Sequence, residues 1–184
     1  MCIRDRLEAD LVINCCGLAT FGPALSISEA DEKALWQVNY QAAVRLMKQV
    51  ADRNHQIRLV QFSSLSALCP HPYLAAYSAS KAALQAYCLA LQEELRLKCS
   101  EVKVCLYILG PVRTAIFPPE LQNALGGSEL QMSPEIAARR IIGLLQQGRS
   151  YAIVGKRYRL LAWLMKLLPQ RWITVSYTHL TLRT

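Results

Sequence analysis

The sequence predicts an α/β domain with a parallel sheet covered by helices on both faces, and three observations carry that prediction. Apolar runs of strand length, Leu11 to Asn14, Ile57 to Ser64 and Val102 to Leu109, recur along the chain. Between them lie helical stretches of a dozen residues or more, the alternation expected of βαβ units. The composition, 53% hydrophobic and 18% charged over 184 residues, suits one packed globular domain and excludes a disordered chain.

Each element has its own signal. Leu11 to Asn14 reads as a buried strand ending in the turn Cys15-Cys16-Gly17. Ser28, with Asp31 three residues on, starts a helix that runs to about Asp52. Tyr77 to Lys98 is rich in Ala, Leu, Glu and Lys, with Leu84, Cys88, Leu91 and Leu95 at helical spacing. Ser133-Pro134-Glu135 is a helix start, Ser as cap and Pro in the first turn, and the helix runs to about Gln147. Three strands are few for a doubly wound sheet, and no GxGxxG-like turn opens a helix; Gly17 to Gly22 is spaced wrongly.

Seven cysteines, an odd number without CxxC spacing, argue against a disulfide framework and for a reduced, cytoplasmic setting. His55, His71 and His179 lack metal-ligand spacing, so no metal site is expected. The net charge of +8 is local: no Asp or Glu follows Glu135, whereas nine Lys and Arg do. A neutral body with a basic, leucine-rich tail does not read as a nucleic-acid binder.

Chemistry concentrates around Tyr77-Ser78-Ala79-Ser80-Lys81, which sets a phenol and an ammonium at i and i+4 on one helix face. A free Tyr titrates near pH ~10, and a fixed positive charge beside it favours the phenolate, which is what an acid/base working near neutrality needs. Alone, YxxxK is a common helical coincidence. Ser64 changes that, because it ends the second strand, where ligands of parallel sheets bind. Its hydroxyl and the first-turn Tyr can meet on one carbonyl oxygen. Asn39 sits in mid-helix, where its propensity is poor.

Taken together these residues resemble the classical short-chain dehydrogenases/reductases. Asn14-Cys15-Cys16-Gly17 is similar to the family's Asn-Asn-Ala-Gly turn, and Asn39 falls at its catalytic Asn. Ser64 and Tyr77-x-x-x-Lys81 match its Ser and YxxxK, and Gly110-Pro111-Val112-Arg113-Thr114 resembles its Pro-Gly-x-x-x-Thr stretch with Leu109 in place of the Pro. The resemblance implies a Rossmann-like fold, NAD or NADP as cofactor, and a small-molecule carbonyl or alcohol as substrate. It implies that Tyr77 passes the proton and Ser64 orients the carbonyl. Lys81 would bind the nicotinamide ribose and depress the Tyr77 pKa, and Asn39 would hold a water of a proton relay. Val112 and Thr114 would contact the cofactor's carboxamide or phosphates, with Asn14 and Gly17 lining its cleft.

The family's first half, with its TGxxxGxG phosphate cradle, has no counterpart here, so the expectation is the catalytic half of a doubly wound sheet lacking its first βαβαβ. Such a chain is expected to be inactive alone although its parent is active. Residues 1–6 and 175–184 read as non-native ends, 7–156 as the catalytic half and 157–174 as a basic amphipathic tail helix. In that tail Leu160, Leu161, Trp163, Leu164, Leu167 and Leu168 form a broad apolar arc beside Arg159 and Lys166. The run is too short to span a bilayer and suits a helix lying on an anionic membrane surface, which favours a lipid-like substrate. The alternatives are that it caps the substrate pocket or packs on a partner subunit. A homodimer or homotetramer is a further expectation, with the helix holding Leu84, Leu91 and Leu95 as a dimer face. An extended-branch sugar-nucleotide epimerase shares YxxxK, but the segment after Thr114 is too compact for its substrate domain. A non-catalytic binding module would be expected to have lost Asn39, Ser64, Tyr77 or Lys81, and all four are present.

Overall fold

The computed structural model describes residues 9–53, 55–116 and 131–167. Four parallel strands, β1 (Leu11–Asn14), β2 (Arg58–Ser64), β3 (Lys103–Leu109) and β4 (Tyr151–Val154), lie side by side in that order. The register pairs Ile13 with Val60, Val60 with Cys105 and Ile108 with Ile153, so all carboxyl ends point one way. The sheet is the parallel α/β sheet expected, with one strand more. β4 is only four residues, pinned by its ladder to β3 and by the Tyr107 hydroxyl donating to Arg149 O at 2.7 Å.

Alternation along β2 and β3 splits the core. Leu59, Val104 and Leu106 pack with Met47, Leu84 and Cys88 on one face, under α2 (Ala43–Ala51) and α3 (Ala75–Leu97). Val60, Cys105 and Tyr107 pack with Ala137 and Leu145 on the other face, under α4 (Pro134–Gln146). Each fully buried aliphatic side chain contributes about 1.5–3 kcal/mol, and a sheet apolar on both faces has to be covered on both.

The helix ends follow the sequence. Asp31 N donates to Ser28 Oγ at 3.1 Å at the start of α1 (Glu29–Trp36), and Ile136 N donates to Ser133 Oγ at 3.3 Å at the start of α4. One feature departs from expectation. Between α1 and α2 the helix widens into a π-helical stretch, Gln37–Ala42, centred near Asn39. Such widenings reposition a side chain without breaking the helix.

Leu84 and Leu95 are buried against the chain's own sheet and Leu91 packs beside them, because α3 crosses β2 and β3 with that face inward, while Leu89 and Leu97 of the same helix are exposed. The tail forms α5 (Lys156–Leu167), with Ala162 buried and Leu161 and Tyr158 packed on Leu65, Ile108 and Ile153. Its other side leaves Leu160, Trp163, Leu164 and Leu167 exposed. Residues 1–6, 168–174 and 175–184 lie outside the described residues. No helix among the described residues is long and apolar enough to cross a membrane.

Candidate active site

A cleft of about 550 Å³ opens at the carboxyl ends of the strands, where parallel sheets bind ligands. Asn14, Gly17, Ser64, Tyr77, Lys81, Val112 and Thr114 all line it. Asn39 does not line it but lies buried behind. A Cβ built on Gly17 would sit 3.6 Å from both Asn39 Oδ1 and Lys81 Nζ, so these groups flank a single point of the turn.

The reactive wall is set by the end of β2 and the first turns of α3. Tyr77 and Lys81 stand one turn apart, with Nζ 6.0 Å from the phenol ring centroid. Lys81 is 6% exposed and donates to Phe62 O at 3.1 Å. Burial lowers its pKa to about 8. Burial raises that of Tyr77, and its hydrogen bond with Ser64 works the other way. Desolvation is thus the larger influence on the Tyr77 phenol, and the hydrogen bond with Ser64 opposes it.

Ser64 is itself held. Its Oγ accepts from Ser66 N at 3.2 Å and from the Ser66 hydroxyl at 2.9 Å. With Ser66 N and the buried Ser66 hydroxyl both placed on its Oγ, Ser64 is left to donate its own hydrogen toward Tyr77 or toward a carbonyl oxygen placed beside it. Sequence reasoning missed Ser66. The one signal was the hydroxyl-rich run Ser63-Ser64-Leu65-Ser66.

Asn39 is held by neighbours on both sides. Its Nδ2 donates to Leu18 O at 2.9 Å and to Ser80 Oγ at 3.0 Å, and its Oδ1 accepts from Leu18 N at 2.8 Å. Both amide hydrogens are used within the chain. The side chain ties the Gly17 turn to α3, since Ser80 Oγ donates on to Tyr77 O at 2.8 Å. Asn14 is likewise a turn builder, accepting from Cys16 N at 3.1 Å and donating to the buried Gln61 Oε1 at 2.8 Å.

The floor of the cleft is the stretch after β3. Val112 bridges to Met132, with Arg113 N donating to Met132 O at 2.9 Å and Met132 N to Pro111 O at 2.9 Å. Gly110 is required by close approach: a Cβ there would lie 2.6 Å from the ring of Tyr158. The Tyr158 hydroxyl donates to Pro111 O at 3.2 Å, so α5 supports the floor from outside. Thr114 stands exposed at the rim, its Oγ1 3.5 Å from Val112 O.

Lys81 offers the test of whether a nicotinamide ribose fits. Its buried ammonium donates to Phe62 O and keeps two further N–H groups for a vicinal diol. Gly17 keeps the approach to it open. A parallel α/β sheet thus presents, at the carboxyl ends of its strands, a cleft lined by a Ser hydroxyl, a Tyr phenol and a Lys ammonium, groups able to donate to a ligand oxygen there.

Residues 3–124 match the family model for short chain dehydrogenases, and the chain belongs to that family. An uncharacterized oxidoreductase, YbbO, of Escherichia coli K12 is 33% identical over 136 residues, covering 72% of this chain and 49% of the relative. The chain thus spans about half the length of that curated relative. A short chain dehydrogenase/reductase of Burkholderia phymatum, solved in complex with NAD, superposes with a TM-score of 0.71 at 19% identity, covering 84% of this chain and 64% of that one. A short chain dehydrogenase of Burkholderia cenocepacia, in complex with NADP, superposes with a TM-score of 0.68 at 22% identity, covering 85% and 63%. At these identities the two structures establish the fold.

Proposed function

We propose that the protein interconverts a carbonyl and an alcohol with NAD or NADP. The observation that carries this reading is the convergence of the Ser64 hydroxyl, the Tyr77 phenol and the Lys81 ammonium on one cleft at the carboxyl ends of the strands. Relatives in complex with NAD and with NADP support either cofactor. The bound nicotinamide supplies or accepts the hydride. Tyr77 gives its proton to the carbonyl oxygen in reduction and recovers it in oxidation, while Ser64 donates to the same oxygen. Lys81 holds the ribose hydroxyls, and its charge favours the phenolate as the proton leaves. Val112 offers backbone groups to the carboxamide, Thr114 reaches the carboxamide or phosphates from the rim, and Asn14 and Gly17 shape the entry. Asn39 positions the Gly17 turn against α3.

The cleft wall is mostly apolar apart from these groups, and α5 adds an exposed apolar face with basic residues beside it. Both favour a hydrophobic, lipid-like substrate, and the second favours contact of α5 with a membrane surface. A second reading is a binding module of the same fold without turnover.

Carbonyl-dependent oxidation of NADH and NADPH by the wild type and by Tyr77→Phe decides between them. Loss of Tyr77 is expected to lower turnover by about 10²–10⁴-fold. Turnover that survives the substitution unchanged contradicts the role of Tyr77, and a folded wild type without turnover supports the binding module.

A further inference from the structure

A second cavity, of about 890 Å³, lies between α4, β4 and the first turn of α5 and shares no residue with the Tyr77 cleft. Arg140, Arg149, Lys156, Arg157 and Arg159 line it, from three successive parts of the chain, and no Asp or Glu does. None of these five is in an ion pair among the described residues. A groove lined by cations and by no acidic side chain favours an anion over a cation or a neutral ligand. Two details place that anion. Gly155, at φ +107°, lets Arg140 approach so closely that a Cβ there would be 2.8 Å from its Nη1. The cavity also meets the N-terminal turn of the twelve-residue α5, the positive end of its helix dipole.

The adjoining surface says where the anion comes from. Directly beyond this turn, Leu160 and Trp163 are 59% and 58% exposed, and Leu164 and Leu167 stand on the same open side. A soluble phosphate ester has no use for that apolar face, whereas a phospholipid pairs a phosphate with an apolar layer a few ångströms away. A second copy of the chain fits poorly, because a two-fold contact across this groove would set the five cations against their own copies.

We propose that this basic groove binds the headgroup phosphate of an anionic phospholipid, with the Arg140 and Arg157 guanidinium groups gripping the phosphate oxygens and Trp163 and Leu164 entering the acyl boundary. The proposal rests on the membrane-surface reading of α5 and sharpens it to a site. Guanidinium groups suit this task because their planar forks bond two phosphate oxygens at once.

The test is co-sedimentation of the full chain with vesicles of phosphatidylcholine alone or mixed with phosphatidylglycerol. The wild type is expected to prefer the anionic vesicles, and Arg140→Gln with Arg157→Gln to lower binding to them by about 10- to 30-fold. Trp163→Gln with Leu164→Gln is expected to weaken binding to both compositions. If the arginine double variant holds anionic vesicles as well as the wild type, the groove assignment is overturned while the membrane reading of α5 stands. If the folded wild type sediments with neither vesicle, both fall. If inorganic phosphate binds the groove while vesicles do not, the site takes a free phosphate and the lipid assignment is wrong.

Discussion

Helices α3 and α5 are both rich in leucine with scattered basic residues, yet the fold uses them in opposite ways. α3 lies across β2 and β3 and buries Leu84, Cys88 and Leu95, together with Tyr77, Ser80 and Lys81. α5 touches the body along one narrow line through Tyr158, Leu161 and Ala162 and turns its other leucines and Trp163 outward. The difference teaches that a reactive group needs enclosure: burial is what moves Lys81 to about 8 and raises Tyr77. α5 contributes from outside, as a brace on Gly110 and Pro111 and as a surface for a partner.

The comparison breaks most visibly at Leu84. Leu84→Ala is expected to cost about 2–5 kcal/mol, read as a shift in a denaturant midpoint. A loss under 1 kcal/mol would show that α3 is not the packed element described.

Lys81 tests the enclosure with the opposite sign. Its folded pKa of about 8 lies below the ordinary 10.5, so at neutral pH folding buries a charge that the unfolded chain keeps in water. Between those values the folded form binds fewer protons than the unfolded one, and stability rises with pH through that window. Lys81→Met is expected to stabilise the protein by roughly 1–3 kcal/mol at pH 7 and to flatten the rise above pH 8. Parallel stability curves for the two proteins from pH 7 to about 10 would contradict a buried, charged Lys81.

On α5 the expected effect is smallest. Trp163→Gln is expected to change stability by no more than about 0.5 kcal/mol, since its side chain contributes to no described core. A thermal shift of several degrees would mean that the outward face is covered by the chain itself or by a second copy.

Much of this contrast was legible in the sequence, and the illegible parts share a cause. The parallel sheet, the caps at Ser28 and Ser133 and the i, i+4 pair of Tyr77 and Lys81 depend on neighbours in sequence, which patterns report. β4 was missed because four residues between Gly148 and Gly155 carry no period to read. Tyr158 and Pro111 are 47 residues apart, and Asn39 and Leu18 are 21 apart, so the brace on the floor and the tie on the Gly17 turn exist only after folding. Ser66 is nearer, but its meaning depends on how its backbone N–H and its hydroxyl converge on a single oxygen.

The account centres on the Ser64 hydrogen bond that opposes the effect of burial on Tyr77. A pH titration of the Tyr77 ring carbon by NMR, in protein labelled at the tyrosine Cζ and assigned with Tyr77→Phe, tests it directly. Ser64→Ala is expected to raise the Tyr77 pKa, because the hydrogen bond that favours the phenolate is gone. Ser66→Ala is expected to raise it by less, and to add nothing in the Ser64→Ala background. A Tyr77 pKa that is unmoved or lowered by Ser64→Ala would contradict the account.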